Sequence, residues 1–342
     1  MKKLLLLITI PYLIISQEVT VESFSYDGLE RSYILYIPES YSENTPTPLV
    51  LNLHGYSSNA GQQMIYSDFY NIADIEGFIL IHPEGTTDFN DFQFWDIGAF
   101  NINNIDDVGF LSLLIDTIAL EYNINLDRVY SVGMSNGGFM SYLLACELSD
   151  KIAAIASVTG SMTTDQIISC NPNRPIPVMQ IHGTADPTVL YNGNTGIESI
   201  NEVISYWVNF NNCNPEPIFN NIPDINLIDL CTAEHYIYNN GTNDSSVELY
   251  KIINGGHTWP GAAISLLGNN TNQDFNASQK IWEFFNKYDI NGLIENTSNL
   301  EEENAKESIL RTIDILGRET TNKGFQLHIY DDGSVEKKYL IK

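Results

Sequence analysis

The sequence predicts an α/β protein built on a mostly parallel sheet with helices on both faces. Two observations point there. Between residues 17 and 288, short β-rich apolar runs alternate with helical patterns, the order that builds parallel strands joined by crossover helices. The run Val129-Tyr130-Ser131-Val132 then ends in Gly133-Met134-Ser135-Asn136-Gly137-Gly138 and enters a helical pattern at once. A strand, a tight turn of small residues and a helix in succession have the form of a nucleophile elbow, in which a strained serine projects its hydroxyl clear of the backbone.

Taken in order, residues 31–37 and 48–53 are strand-like and precede any helix, so they are expected to form an antiparallel edge. A helix is read over 62–75 and a strand over 78–81. Asp106 and Asp107 stand where a cap is needed, ahead of a helix over 108–122. The strand at 128–132 leads through the elbow to a helix at 137–148. Strands at 153–158, 177–181 and 247–252, with helices at 197–210 and 278–285, complete a domain long enough to bury a large core.

The two ends differ from this body. Met1-Lys2-Lys3 precedes an apolar run from Leu4 to Ile15, closed by Ser16 and Gln17, the pattern of a secretory signal peptide over residues 1–16. The run is shorter than the roughly 20 residues that span a bilayer. The mature protein is therefore expected to be secreted. Residues 289–306 read as an acidic, solvated linker. Residues 307–342 read as a small β appendage, with Asp331-Asp332-Gly333 as a hairpin signal between alternating segments.

The four cysteines, Cys146, Cys170, Cys213 and Cys231, suit an oxidising compartment and lack metal-ligand spacing. The sequential pairing, Cys146 with Cys170 and Cys213 with Cys231, closes two short loops and is the expected one. The formal net charge is −27, and residues 17–300 carry 7 Lys and Arg against 34 Asp and Glu. Such a surface repels nucleic acid, anionic lipid and polyuronate, leaving neutral or apolar partners.

Three further segments supply chemistry. Val50 to Leu53 runs into His54-Gly55-Tyr56, and a loop after such a strand offers one backbone N–H to an oxyanion. The residue after the nucleophile offers the other, so Tyr56 and Asn136 are the expected donors. His54 precedes the nucleophile at a strand end and reads as a residue that orders the loop. Pro177 to Gly183 leads to Asp186, placed to orient an imidazole. Of the six histidines, His257 alone follows Asp186 in a Gly-rich loop after a strand, Asn254-Gly255-Gly256-His257-Thr258-Trp259-Pro260-Gly261, where it can reach the serine as general base. Ser135, Asp186 and His257 thus fall in the chain order Ser–Asp–His of an α/β-hydrolase fold. Trp259 and Trp95 are expected to shape the substrate pocket. The chemistry calls for no metal or cofactor.

The segments L-H-G-Y, D-D-V-G-F at 106–110, Y-S-V-G-M-S-N-G-G, I-H-G-T-A-D and G-G-H-T-W-P-G resemble the polyhydroxybutyrate depolymerase and feruloyl esterase family of α/β-hydrolases. The resemblance spans residues 50–261 and carries the triad onto Ser135, Asp186 and His257. It implies carboxylic-ester hydrolysis, on feruloyl or acetyl esters of plant polysaccharide or on short hydroxyalkanoate oligoesters. In the tail, I-D-I-L-G-R-E and D-D-G-S-V-E-K-K-Y resemble the C-terminal sorting domain of the type IX secretion system, which implies a secretion machinery as partner. The enzyme is expected to be a monomer. The rival from another class is a non-catalytic carbohydrate-binding surface protein that kept the scaffold.

Overall fold

Ten strands form one sheet in the order β1-β2-β4-β3-β5-β6-β7-β10-β9-β8. They are β1 Glu18–Tyr26, β2 Leu29–Ile37, β3 Thr47–Leu53, β4 Ile79–Pro83, β5 Ile124–Met134, β6 Ala154–Val158, β7 Val178–Gly183, β8 Ile218–Asn221, β9 Thr232–Tyr238 and β10 Val247–Ile253. This computed structural model describes residues 18–98, 105–263, 270–294, 309–313, 318–320, 324–330 and 335–340. The expected signal peptide and the linker from 295 onward lie outside the described residues.

The five central neighbour pairs, from β4–β3 through β5, β6 and β7 to β10, are parallel, and both flanks are antiparallel. One expectation is corrected here. Residues 48–53 do not form an antiparallel edge: β3 lies in the middle of the sheet, and all of its residues are buried. Apolar residues in succession, rather than in alternation, suit a strand covered on both faces. The antiparallel edge is instead a β1–β2 hairpin turned at Asp27-Gly28, both at positive φ (48° and 77°).

Successive residues of β3 point to two cores. Leu49, Leu51 and Leu53 join one cluster, with α3 Asp107–Glu121, α4 Asn136–Glu147 and α6 Ile200–Phe210. Val50 joins the other, with α1 Ala60–Ser67, α2 Tyr70–Glu76 and α7 Ala277–Phe285. Helices therefore cover both faces. The single helix expected over 62–75 is two, because Asp68 takes a left-handed conformation (φ 46°) that ends α1. A short helix, α5 Thr164–Ser169, opens with a Thr163–Gln166 capping box.

The first compact unit runs to Ile294, and Glu295–Lys342 forms the second. Residues 289–294 belong to the first: Ile290 N–H donates to Asp127 O at 2.8 Å and Ile294 N–H to Lys287 O at 2.8 Å. In the second unit, β11 Ile309–Ile313, β12 Gly324–Tyr330 and β13 Val335–Leu340 form an antiparallel meander. Among the described residues, no helix is long and apolar enough to cross a membrane.

Candidate active site

Ser135 stands between β5 and α4 at φ 55°, ψ −118°, a conformation L-residues avoid. The crossing is tight enough to require its glycines. A Cβ on Gly133 would lie 2.3 Å from the Gly137 carbonyl carbon, and one on Gly137 would lie 2.3 Å from Leu53 O. Ser135 N–H donates to Val158 O at 2.8 Å, pinning the turn to the end of β6.

Asp186 follows β7 and His257 follows β10, its parallel neighbour. Their loops are laced together: Thr184 N–H donates to Ile252 O (2.8 Å), Ala185 N–H to Gly255 O (2.9 Å) and Asn254 N–H to the Thr184 hydroxyl (2.8 Å). His257 Nδ1–H donates to Asp186 Oδ2 at 2.7 Å. The other carboxylate oxygen, Oδ1, accepts Thr188 N–H (2.8 Å) and Val189 N–H (2.9 Å). Both side chains are buried, and the hydrogen bonds hold the pair in place.

A buried polar chain that the sequence did not announce continues below. His182 Nε2 donates to Val189 O (2.8 Å) and lies 3.4 Å from Asp186 Oδ2. Its Nδ1 accepts from Gln180, whose Oε1 takes the Tyr142 hydroxyl at 2.7 Å. Burial holds the His182 imidazole below its ordinary value, against the pull of Asp186. The signal for His182 was its place on a buried strand, facing the acid four residues on.

The His54-Gly55-Tyr56 loop lies against the elbow: a Cβ on Gly55 would come 3.3 Å from Ser135 Cβ. His54 orders this loop as expected. Its Nδ1–H donates to Gly55 O (2.8 Å), and its Nε2 accepts Gly85 N–H (2.9 Å). Burial lowers its pKa to about 4, which keeps it neutral. Asn136 is the first residue of α4, so its own N–H has no partner within the helix.

Ser135 opens on two cavities. One, of about 230 Å³, is shared with His257, Gly55, Tyr56, Gln63, Tyr66 and Met134. The other, of about 370 Å³ and mainly apolar, is bounded by Tyr56, Phe89, Phe94, Trp95, Phe139 and Ile197. Phe89 was not foreseen; it sits 78% exposed near the tip of a hairpin joining Thr86–Thr87 to Gln93–Phe94. Alternation is absent from so short a hairpin; its local cues are the aromatics and the turn residues Asp88, Asn90 and Asp91, with Asp88 Oδ1 accepting Asn90 N–H (2.8 Å) and Phe92 N–H (3.1 Å).

Two expectations fail on geometry. Trp259 is 1% exposed and does not face the cleft. Its Nε1–H donates to Ser278 Oγ of α7 (3.0 Å), its ring meets Phe69 edge-on, and its backbone N–H donates to the Tyr66 hydroxyl (3.1 Å). It anchors the His257 loop to the core from behind. Cys213 and Cys231 are both buried free thiols, because they occupy the two cores on opposite faces of the sheet. The Cys146–Cys170 disulfide is present. Asp106 caps α3 through Gly109 N–H, as expected, whereas Asp107 is buried and pairs with Arg31 at 2.6 Å. Among the described residues, no group of three or more His, Cys, Asp or Glu is arranged to hold a metal.

Parallel strands whose C-terminal ends carry Ser135, Asp186 and His257 in that order, between two layers of helices, define an α/β-hydrolase fold. Solved esterases share it. An acetyl xylan esterase from Aspergillus awamori superposes with a TM-score of 0.54 at 13% identity, covering 78% of this chain and 99% of that one. A CE1 ferulic acid esterase from Anaeromyces mucronatus gives 0.52 at 14%, covering 82% and 93%. Within that fold the chain belongs to the Esterase PHB depolymerase family, whose model matches residues 31–208. A feruloyl esterase B from Piromyces equi is 29% identical over 238 residues, 66% of this chain and 42% of that protein. A bifunctional acetylxylan esterase/xylanase from Neocallimastix patriciarum is 31% identical over 164 residues, 48% of this chain and 22% of that protein. The chain thus spans less than half the length of these two relatives.

Proposed function

We propose that this chain is a secreted serine carboxylic-ester hydrolase acting on feruloyl or acetyl esters of plant polysaccharide. One observation carries the reading: Ser135, held at positive φ, opens on the same cavity as His257, whose other nitrogen is fixed by the buried Asp186. His257 Nε2 takes the Ser135 proton, and the serine oxygen attacks the ester carbonyl. The Tyr56 and Asn136 amides receive the oxyanion. The alcohol leaves with the proton from His257, and water then repeats the cycle on the acyl-enzyme. The apolar cavity suits an aromatic acyl group, and the acidic surface suits a neutral polymer. The relatives' names support the same substrate class. Residues 1–16 are read as the export leader and residues 307–342 as a sorting tail for a type IX secretion machinery. The family's description favours a second reading, hydrolysis of hydroxyalkanoate oligoesters.

Initial rates on methyl ferulate and on a hydroxybutyrate trimer test both, with Ser135→Ala as blank. Ferulate release well above trimer hydrolysis is expected, and the reverse favours the second reading. A Ser135→Ala chain as active as the parent would remove the nucleophile and leave a non-catalytic binding role for this site.

A further inference from the structure

The geometry points to Trp95 as the residue that positions both arms of the oxyanion hole, a role that rests on the reading of Ser135 as nucleophile. The two expected donors come from different elements, the loop after β3 and the first residue of α4, and their separation must be set before the oxyanion forms. Trp95 is bonded to both elements. Its backbone is clamped at two points by the Asn136 side chain: Trp95 N–H donates to Asn136 Oδ1 at 2.7 Å, and Asn136 Nδ2 donates to Trp95 O at 3.1 Å. Its indole Nε1–H donates to His54 O at 3.0 Å, fixing the peptide between His54 and Gly55.

The next peptide is the one that matters. Gly55 C=O and Tyr56 N–H lie in one rigid plane, so whatever holds the carbonyl aims the amide. His54 Nδ1 holds that carbonyl at 2.8 Å, and the imidazole lies against the Trp95 indole with ring centroids 5.1 Å apart. Trp95 is 1% exposed, so it has little face to offer a substrate even though it borders the apolar cavity. It acts as a positioning residue rather than a stacking platform.

Trp95→Phe keeps a ring against His54 and deletes the indole donor. On methyl ferulate, kcat is expected to fall about tenfold with KM within about twofold, the scale of one lost positioning hydrogen bond. An arylboronic acid, which forms a tetrahedral adduct on the serine, is expected to bind about tenfold more weakly, while free ferulate binds as before. Asn136→Ala removes the clamp but keeps the backbone donor, so the same kcat and boronate losses are expected; it carries the test if the tryptophan variant does not fold. Parental kcat and boronate affinity in both variants would overturn the proposal. So would a raised KM with kcat intact, which is the mark of a substrate contact. A Ser135→Ala chain with parental activity would instead sink the nucleophile, and the brace with it.

Discussion

Asp186→Asn is the sharpest perturbation of this site, because the structure decides which way the new amide faces. Oδ1 accepts two backbone N–H groups, from Thr188 and Val189. Turning the NH2 toward them would set donor against donor in a buried site, leaving two orphaned amides at about 1–3 kcal/mol each. The oxygen must therefore stay there, and the NH2 lands 2.7 Å from His257 Nδ1, in the place of Oδ2. An N–H cannot face an N–H, so His257 gives up its Nδ1 proton and carries it on Nε2. In that tautomer the nitrogen toward Ser135 is a donor and accepts no proton. A loss on the order of 10⁴ in kcat is expected, about 5 kcal/mol of transition-state stabilisation. The substitution is nearly isosteric, so KM and the thermal midpoint should change little. The assay is kcat and KM on methyl ferulate at fixed pH, with thermal unfolding followed in parallel. A folded variant within tenfold of the parental kcat would refute the tautomer reasoning and with it the role of Asp186.

Acid should destabilise the fold well above the carboxylate range. Burial lowers His82 to about 3, with neither ring nitrogen hydrogen-bonded, and burial lowers His54 to about 4, both from an ordinary 6.5. The folded state then binds fewer protons than the unfolded one, so this stability is present above pH 6.5 and is lost as pH falls toward the folded values. At pH 5 each histidine removes about 2 kcal/mol, a large part of a typical 5–15 kcal/mol. Urea midpoints measured at pH 7 and pH 5 should differ clearly, and equal midpoints would contradict the reading. The disulfide gives a second test of stability. Cys146 and Cys170 are 24 residues apart, and replacing both with serine should cost about 3 kcal/mol, read as a lower urea midpoint with activity on methyl ferulate retained below the transition.

Much of the site was legible because its signals are local. The glycines around Ser135 are demanded by a turn only a few residues long, and the loops bearing Asp186 and His257 each follow an apolar strand. The order Ser–Asp–His then needed only the chain. Other features escaped because their cause lies far off in sequence. The β1 hairpin is different, because its Asp27-Gly28 turn is a local signal between an edge strand and β2. Trp259 is two residues from His257, yet the loop turns its indole toward Ser278 on α7. Arg31 and Asp107 meet across 76 residues, with the guanidinium over Phe110 at 3.8 Å.

By itself the sequence determined where the candidate groups Ser135, Asp186 and His257 stand and in what order they arrive, since each is set by the strand end and turn that carry it. Only the tertiary structure decided how those groups are held. It laid β3 in the centre of the sheet, put Cys213 and Cys231 in separate cores, and bonded Trp95 to both the His54 carbonyl and the Asn136 side chain. Those outcomes depend on which elements pack together, and packing partners are chosen by surfaces that no single segment contains.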